Sequence, residues 1–369
     1  GHECPTKIYY DNHAEYDSAK QDNSFLEALA KGGFQVEEYA RVLYGPGKLI
    51  TEKDPVTAFR ETLKGIKNDE TIFEGAFLHD NLYVRCDMLL PDGNAMDLIE
   101  IKAKSIDGDT PSQEVFLTDS GRIRSKWKPY LWDVAFQTYV AGLVLPDVII
   151  RPSLLLADKS KSTDRDGLHE MFRIIENSTD LRDGIETPSG ISAKDLDQGL
   201  LKKVDVSAYI EMILTGKELT DEGETFAAAV HAFSASIRKD LRLFNGVGKK
   251  CKGCEYRVNS VEKGQKNGFA ECWAPLIGTD QIGKSMAFDI WNWRGADAAI
   301  ANRIFLAENL PPFKEKISDS ELDDNDRRQL QLEVVRGELK KPFAVKSKLR
   351  NYINGFSFPL HFIDFETST

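Results

Sequence analysis

Cysteine is scarce in this chain, with five residues among 369. A small and odd number of cysteines does not suit a disulfide framework, and it is typical of the reduced thiols of a cytoplasmic protein. Their placement is uneven, since Cys4 stands at the start and Cys251, Cys254 and Cys272 share one short stretch. We therefore expect a cytoplasmic location and ask whether these four serve one site, while Cys86 is expected to fill apolar core.

Long apolar runs are missing as well. No stretch approaches the roughly 20 residues that span a bilayer, so we expect no membrane partner. The sequence also has no internal repeat and no low-complexity tract. A hydrophobic content of 41% with 29% charged residues indicates a globular protein, and the length suggests two domains or one domain with a large insertion.

Basic residues are fewer than acidic ones. The chain has 48 Lys and Arg and 59 Asp and Glu, so its formal net charge is -11. This balance excludes a generally basic nucleic-acid coat but allows local basic patches. One such patch, GRIRSKWKPYLW, places basic residues beside Trp127 and Trp132, and these are Arg122, Arg124, Lys126 and Lys128. The cysteine stretch KKCKGCEYR adds Lys249, Lys250, Lys252 and Arg257.

Basic residues interleaved with aromatics suit a single nucleic-acid strand, whose phosphates and bases they contact by charge and by stacking. The alternative is a pair of solvated basic loops. Nothing in these patches reads sequence, so we expect non-specific DNA as the partner, while the sequence leaves RNA open and identifies no protein partner.

The periodicity of the chain predicts an α/β fold. Helices are expected over residues 24–31, ended by a Gly-Gly pair, and over 54–67, 129–143 and most of 168–243. Strands are expected within 71–90, 95–105, 148–158 and 285–293 and at the very end of the sequence, and the polar residues 105–126 are expected to form a mobile loop.

The segment PDGN between two strand-like runs predicts a hairpin. If Asp92 and Gly93 form a two-residue turn, Asp87 faces Leu98, and Asp87, Glu100 and Lys102 emerge on one face because side chains alternate with period 2. The two carboxylates then lie about 7 to 8 Å apart at the backbone, near enough to share one divalent ion.

Such a face has a chemical use in phosphodiester hydrolysis. A bound cation polarises the phosphoryl oxygen and lowers the pKa of a water molecule, and a nearby ammonium group orients that water. The alternative is an ordinary solvated strand face with alternating charges.

The order of these residues resembles the PD-(D/E)xK nuclease superfamily and, within it, the RecB-like branch, in which a glutamine follows on the next helix. Gln137 in WDVAFQTYVAG matches that glutamine, but Tyr139 does not match the usual Gln-x-x-x-Tyr spacing. The branch often has a histidine metal ligand on an early helix, where this chain has Glu37 and Glu38 in GGFQVEEYA. Glu74 is a further candidate carboxylate.

The resemblance implies a magnesium- or manganese-dependent deoxyribonuclease acting on DNA ends or single strands. Asp87 and Glu100 would bind the Mg or Mn ion, Lys102 would orient the attacking water, and Gln137 would position the substrate or Lys102. Two alternatives remain open, namely a non-catalytic nucleic-acid-binding module and a zinc-stapled interaction module.

Four thiolates accept either zinc or an iron-sulfur cluster. Nucleases of the AddB type and of CRISPR adaptation have one cysteine before the nuclease core and three after it, and Cys4-Pro5-Thr6-Lys7 resembles their Cys-Pro-x-Lys setting. The resemblance implies a 4Fe-4S cluster held by Cys4, Cys251, Cys254 and Cys272, with zinc as the alternative.

The final residues PLHFIDFETST resemble the first motif of DnaQ-like (DEDD) exonucleases, in which Asp364 and Glu366 would form an incomplete and inert second site. The whole layout resembles a bacterial family described only as a domain of unknown function. It implies a nuclease domain over 1–278 with a helical insertion at about 165–245, a connecting α/β segment over 279–355, and the first strand of an exonuclease domain over 356–369.

Overall fold

The structure is a computed structural model that describes residues 3–19, 24–175, 185–221, 223–258, 264–313, 323–339, 343–357 and 359–360. Asp364 and Glu366, and with them the predicted IDFET strand, lie outside these residues. Among the described helices, none is both long enough and apolar enough to cross a membrane.

The described chain contains helices and strands up to Asp205, and its later helices follow without a further strand. The described helices are α1 (Thr6–Asp11), α2 (Ser24–Tyr44), α3 (Pro55–Lys67), α4 (Ser112–Phe116), α5 (Lys128–Val144), α6 (Ser207–Leu214), α7 (Phe226–Lys239), α8 (Gly268–Ile277), α9 (Ala296–Ala301), α10 (Asp324–Val335) and α11 (Lys346–Asn354). The described strands are β1 (Lys48–Leu49), β2 (Ile72–His79), β3 (Leu82–Asp92), β4 (Ala95–Ile106), β5 (Ile149–Asp158), β6 (Arg173–Ile174), β7 (Ile185–Glu186) and β8 (Leu201–Asp205).

The main sheet has six strands in the order β1-β2-β3-β4-β5-β8. Strands β2, β3 and β4 form an antiparallel meander, and α5 carries the chain over so that β5 pairs parallel to β4. Short β6 and β7 pair separately. The mixed α/β class predicted from the sequence is therefore confirmed.

Each face of this sheet buries a different set of apolar side chains. On one face the core of α5 and α6 packs with Leu89, Leu98 and Leu154. On the other, Val36 and Ala40 of α2 pack with Met88 and other buried strand residues. The sheet is thus enclosed by helices on both sides, which allows polar strand residues to be buried where a helix supplies their partners.

The β3–β4 register differs from the predicted one by two residues. Asp92 pairs with Ala95 and Met88 pairs with Ile99, so the two-residue loop is Gly93-Asn94 and not Asp92-Gly93. A shift of two residues leaves side-chain parity unchanged, so Glu100 and Lys102 still share a face of β4. The observed β3–β4 pairs end at Met88 and Ile99. Cys86 packs in the cluster of α5 while Met88 packs in that of α2, so the predicted alternation of β3 is interrupted at Asp87.

Several predicted elements differ from the observed ones. Helix α2 continues through Gly32 and Gly33 to Tyr44, because two glycines weaken a helix without ending one that packs on a sheet. The predicted mobile loop 105–126 contains α4. The predicted strand at 285–293 is instead a 3-10 turn, Ala287–Asp289, in which the Asp289 carboxylate accepts from the Met286 amide at 2.8 Å.

The chain divides into two compact units, one over residues 23–239 and one that joins 3–22 to 240–367. These limits do not coincide with the predicted boundaries at 278 and 355. The region 165–245, expected to be a helical insertion, supplies β8, which pairs with β5 at the edge of the main sheet. In the described part of 279–355, helices and 3-10 turns appear where an α/β segment was expected.

Candidate active site

Glu100 is the centre of the polar cluster in unit 23–239. It lies on β4 with 3% of its surface exposed. The Lys102 ammonium donates to one carboxylate oxygen, and the Gln137 side-chain amide of α5 donates to the other at 2.8 Å. A buried carboxylate is tolerated when it is paired and hydrogen-bonded in this way. Three of the residues singled out in the sequence therefore meet in one contact network.

Asp87 joins the network from β3. Its carboxylate accepts a 2.7 Å hydrogen bond from the backbone amide of Ile101. Burial and then the neighbouring charge of Glu100 raise the pKa of Asp87 well above its ordinary value, while Lys102 opposes the shift. The structure thus brings Asp87, Glu100, Lys102 and Gln137 together.

Asp133 is a further acid at this place, one helical turn before Gln137 on α5. Asp133 lies at the edge of the cluster, and part of it is exposed to solvent. Its carboxylate is nevertheless surrounded by protein atoms, and this burial and then the charge of Glu100 raise its pKa to about 6. A spacing of four residues puts Asp133 and Gln137 on the same helix face. That spacing was visible in the sequence, but no role was assigned to Asp133.

Lys102 is surrounded by acids. Burial lowers its pKa, but the charges of Glu100, Asp87 and Asp133 more than offset this and raise the pKa above its ordinary value. The side chain is therefore charged at neutral pH and acts as the counter-ion of the cluster. Any divalent cation that binds Glu100 must compete with this ammonium group.

The backbone is strained beside the cluster. Glu74 of β2 has φ +57, a left-handed conformation that non-glycine residues rarely adopt. The β2–β3 ladder joins Phe73 to Met88 and Gly75 to Cys86, but no pair joins Glu74 to Asp87 between them in this described segment. Such strain is concentrated at functional sites in proteins.

Glu74 itself is largely buried, at 8% exposure, and lies 3.6 Å from the Arg85 guanidinium. The Arg85 terminal nitrogens donate to backbone carbonyls of Glu52 and Ile50 at 3.0 and 2.6 Å. Arg85 is therefore held in place beside Glu74 by the β1 region of the chain.

The two early glutamates have different surroundings. Glu37 of α2 is close enough to Asp87 for its charge to contribute to the raised pKa of Asp87. Glu38 instead forms an ion pair with Arg41 on its own helix. Of the two residues that stand where the RecB-like branch has a histidine, Glu37 is the one associated with the cluster.

Two of the four basic residues expected to bind nucleic acid are ion-paired. Arg122 and Lys128 both contact the Glu218 carboxylate, at 3.3 and 3.2 Å, and Glu218 is only 1% exposed. Trp127 and Trp132, at 1% and 7% exposure, belong to the core and have no ring face open for a base. The expected base stacking on these two rings is therefore wrong, because aromatic residues next to a basic loop fold inward here.

The four cysteines of interest all lie in the second unit. Cys251 lies in the 3-10 turn Lys249–Gly253 and Cys254 follows it, and the Cys254 amide donates to the Cys251 carbonyl at 3.3 Å. Cys272 lies on α8, where burial and then the neighbouring Cys251 and Cys4 raise the pKa of its thiol. All four cysteines are free thiols. Cys4 is close enough to Cys251 and Cys272 to contribute to the raised pKa of both, after burial.

Tyrosines connect the start of the chain to α8. The Tyr10 hydroxyl donates to the Gly268 carbonyl at 3.0 Å and lies 3.4 Å from the Cys272 sulfur. The Tyr16 hydroxyl contacts both oxygens of Glu271 at 3.0 Å. These buried contacts hold the N-terminal segment beside the late cysteines without any metal.

The surroundings of the thiols suit an anionic metal cluster. The charge of Lys7 interacts with Cys254 and that of Arg242 with Cys272. The charge of Arg257 interacts with both Cys251 and Cys254. The Trp273 indole nitrogen is buried without an acceptor at hydrogen-bond distance among the described residues, and it lies beside the Cys251 sulfur. Cations and N–H donors around thiolates stabilise iron-sulfur clusters, so the donor set fits either a cluster or zinc.

Neither the carboxylates around Glu100 nor the four cysteines have the geometry of a complete metal site among the described residues. Within the described residues, no group of three or more His, Cys, Asp or Glu side chains is arranged so that it could hold a metal ion as it stands. At the active-site cluster the reason is evident, since both oxygens of Glu100 are already engaged by Lys102 and Gln137.

Comparisons of the chain with protein-family models, with curated proteins and with solved structures find no match. The family resemblance therefore depends on the residues themselves. The cluster consists of two carboxylates and a lysine on strands, and a glutamine and a carboxylate on α5. This arrangement is chemically able to bind a divalent cation and to orient a water molecule.

Proposed function

We propose that the protein is a metal-dependent nuclease that hydrolyses phosphodiester bonds of DNA on a PD-(D/E)xK-type core. The observation that carries this proposal is the convergence of Asp87, Glu100, Lys102 and Gln137 in one network. The order of elements also supports it, because β3, β4 and α5 follow each other as the resemblance implies.

In this proposal Asp87 and Glu100 hold a magnesium or manganese ion, and Asp133 adds a third carboxylate at the rim. The ion supplies polarisation of the phosphoryl oxygen and a water molecule of lowered pKa. Asp87 is kept in place by the Ile101 amide and Glu100 by Gln137. These contacts fix the two carboxylates before any ligand arrives, which reduces the cost of ordering them.

Lys102 has two tasks in succession. It first neutralises the buried acids, and its ammonium group then orients the attacking water and stabilises the charge that develops on the phosphate. Moving from Glu100 to the water requires only rotation of a flexible four-carbon side chain. Gln137 remains as the fixed partner of Glu100 through its side-chain nitrogen. Its side-chain oxygen is buried without a hydrogen-bond partner among the described residues, so an acceptor is left for a donor that binds with the substrate.

The test is degradation of end-labelled single- and double-stranded DNA in the presence of Mn²⁺. Wild-type protein is expected to cut in a metal-dependent way, and Lys102→Ala is expected to lose at least about a hundredfold in rate while still binding DNA, as removal of a charge-stabilising group does elsewhere. Lys67→Ala, which removes an exposed lysine at the end of α3, is the matched control.

The outcomes separate the alternatives. If wild type and Lys102→Ala bind DNA alike and neither cuts under any divalent ion, the nuclease proposal fails and a non-catalytic nucleic-acid-binding module takes its place. If the protein neither binds nor cuts nucleic acid, an interaction module stapled by zinc becomes the better explanation.

We also propose that Cys4, Cys251, Cys254 and Cys272 hold a 4Fe-4S cluster. The clustering of four free thiols among Lys7, Arg242 and Arg257 supports this. Protein purified without oxygen is expected to be brown, with four iron atoms and four sulfides per chain, as a cubane requires. Colourless protein with one zinc per chain would replace the cluster by a zinc site, and protein without either metal would end the proposal.

A further inference from the structure

Two lysines share one aromatic ring next to the active-site cluster. The Lys104 ammonium of β4 lies 4.8 Å from the ring centroids of both Trp127 and Tyr130, and the Lys126 ammonium lies 5.9 Å from that of Trp127. Lys104 also donates to the Lys126 backbone carbonyl at 3.1 Å. The two ammonium groups are thus gathered at one place by backbone and ring contacts.

No carboxylate accompanies them. Among the described residues neither Lys104 nor Lys126 forms an ion pair, whereas Arg122 and Lys128 of the same basic stretch are both paired with Glu218. Partial burial and the charge of Lys126 lower the pKa of Lys104. Two like charges held together without a counter-ion repel each other, and an anion placed between them removes that repulsion.

The pair lies close to the contacts between β4 and α5. Glu100 contacts Gln137, the charge of Lys102 interacts with that of Asp133, and Lys104 covers Tyr130. The pairing of β4 with β5 shifts register between Lys102 and Ser105, so Lys104 lies in an irregular part of the strand, two residues beyond Lys102.

We propose that Lys104 and Lys126 bind the phosphate adjacent to the scissile phosphate of a nucleic-acid strand and so position it over Asp87, Glu100 and Lys102. This inference rests on the proposed nuclease function and names the residues that hold its substrate. Two residues span at most about 7 Å of backbone, so Lys104 is within reach of a phosphate next to the one at Lys102. Because Trp127 is buried, the contact is to the backbone and independent of sequence.

The test is binding of a fluorescently labelled single-stranded DNA to the full-length protein in EDTA, where no cleavage occurs, measured by anisotropy at several salt concentrations. Each phosphate contact to a single strand contributes about 0.7 to the slope of log K against log salt. Lys104→Gln and Lys126→Gln are each expected to weaken binding and to flatten the slope, and the double variant to flatten it most. Lys67→Gln is the matched control for loss of one exposed positive charge.

Adjacency is tested with an oligonucleotide that carries one neutral methylphosphonate next to the bond that wild type cuts. Wild type is expected to bind it more weakly than the unmodified strand, and the double variant to bind both strands equally, since the partner of that charge is gone. Equal losses in wild type and double variant would overturn the assignment of this phosphate to the lysine pair.

The two proposals fail separately. If wild type cuts DNA and the double variant keeps both its affinity and its salt slope, the lysine site is refuted and the nuclease stands. If the variants lose affinity and slope but wild type never cuts, the phosphate site stands and the nuclease proposal is refuted. Thermal unfolding of each variant, read by circular dichroism, confirms that the compared proteins are folded.

Discussion

Glu100 shows how a single buried charge is made tolerable. Burying a carboxylate costs several kcal/mol unless partners replace its water, and here Lys102 and Gln137 occupy both oxygens. The same partners that stabilise the acid also occupy the lone pairs that a metal ion needs. The buried carboxylate of Glu100 is therefore stabilised without a metal ion, and a divalent ion that binds it must replace the Lys102 ammonium group.

A measurable consequence concerns Lys102. Lys102→Met removes the ammonium group that competes with a divalent ion for Glu100, so Mn²⁺ is expected to bind about tenfold more tightly, or by about 1.4 kcal/mol, although cleavage is lost. Isothermal titration calorimetry checks this, with Lys102→Arg as the charge-preserving control and Glu100→Gln expected to lose binding. Unchanged or weaker Mn²⁺ binding in Lys102→Met would contradict the competition.

A second residue-scale prediction concerns Thr62, which is fully buried. Its hydroxyl donates to the Ala58 carbonyl of α3 at 2.9 Å and accepts from the Ala76 amide of β2 at 2.8 Å. Thr62→Val leaves the Ala76 amide buried and unpaired, so the free energy of unfolding is expected to fall by about 1 to 3 kcal/mol. Urea unfolding measures this, and Thr62→Ser, which keeps the hydroxyl, is expected to lose much less. No loss in Thr62→Val, or a larger loss in Thr62→Ser than in Thr62→Val, would contradict the role given to the hydroxyl.

Part of the candidate site was predictable, because Glu100 and Lys102 alternate along one strand and a register error of two residues does not disturb this. Asp87 reaches them from an irregular part of β3, through its hydrogen bond with the Ile101 amide, which strand alternation does not predict. Trp127 and Trp132 could not be placed in the same way, because neighbouring basic residues do not tell whether a ring stacks on a ligand or fills the core. Trp127 packs against Phe116 and Trp132 packs against Phe226 of α7, and the second contact joins residues far apart in the sequence.

At the scale of elements, the β3–β4 hairpin controls the alignment of the site. Its loop has Gly93 at φ +60, which fits the first central position of a type II′ turn, where glycine is favoured. The loop is exposed, so the residue is needed for its backbone conformation and not for lack of space.

Two glycine substitutions are therefore expected to have opposite effects. Gly93→Ala forces an L-residue into the left-handed region and is expected to lower the free energy of unfolding by about 1 kcal/mol. Gly142→Ala, inside α5 with open space around its Cβ, is expected to raise it by about 0.5 kcal/mol. Chemical denaturation of both variants checks the signs, and stabilisation by Gly93→Ala would refute the turn assignment.

Elements were predictable where local rules and packing agree. Helix α3 begins at Pro55 after Asp54, whose carboxylate accepts from the Thr57 amide at 2.8 Å, as the sequence indicates. The segment 285–293 has the composition of a strand, but among the described residues its strand pairing is an isolated bridge between Met286 and Leu306, and a 3-10 turn follows at Ala287–Asp289. There Arg257 holds the Asp289 carboxylate through two hydrogen bonds, at 2.8 and 2.7 Å, which no local pattern reveals.

At the scale of the whole molecule, the two units differ in how the chain builds them. One is continuous over 23–239, and the other combines residues 3–22 with 240–367. The domain limits were not predictable because a discontinuous unit leaves no composition change at its boundary. Its cohesion comes from pairs such as Tyr10 with Gly268 that are far apart in sequence.

Hydrogen exchange on the full-length chain tests whether the metal proposed at the four cysteines stabilises only the unit that contains them. Cys4→Ala is expected to speed exchange of amides in residues 5–19 and 249–277 by at least about tenfold and to leave β3, β4 and β5 unchanged, since loss of a ligand opens only the unit it staples. Cys86→Ala is the matched control and is expected to affect the sheet instead, where Cys86 is fully buried. Faster exchange throughout the chain in Cys4→Ala would contradict the separation.

The split origin of the cysteine unit also affects the order of events on the ribosome. Cys4 is followed by about 250 residues before Cys251 is made, which takes roughly 12 to 50 seconds at typical elongation rates. During that interval its thiol has no partner from the later cysteines. On the proposal that these thiols hold a metal, its loading is a late step in biogenesis, and the sheet of the continuous unit is synthesised before it.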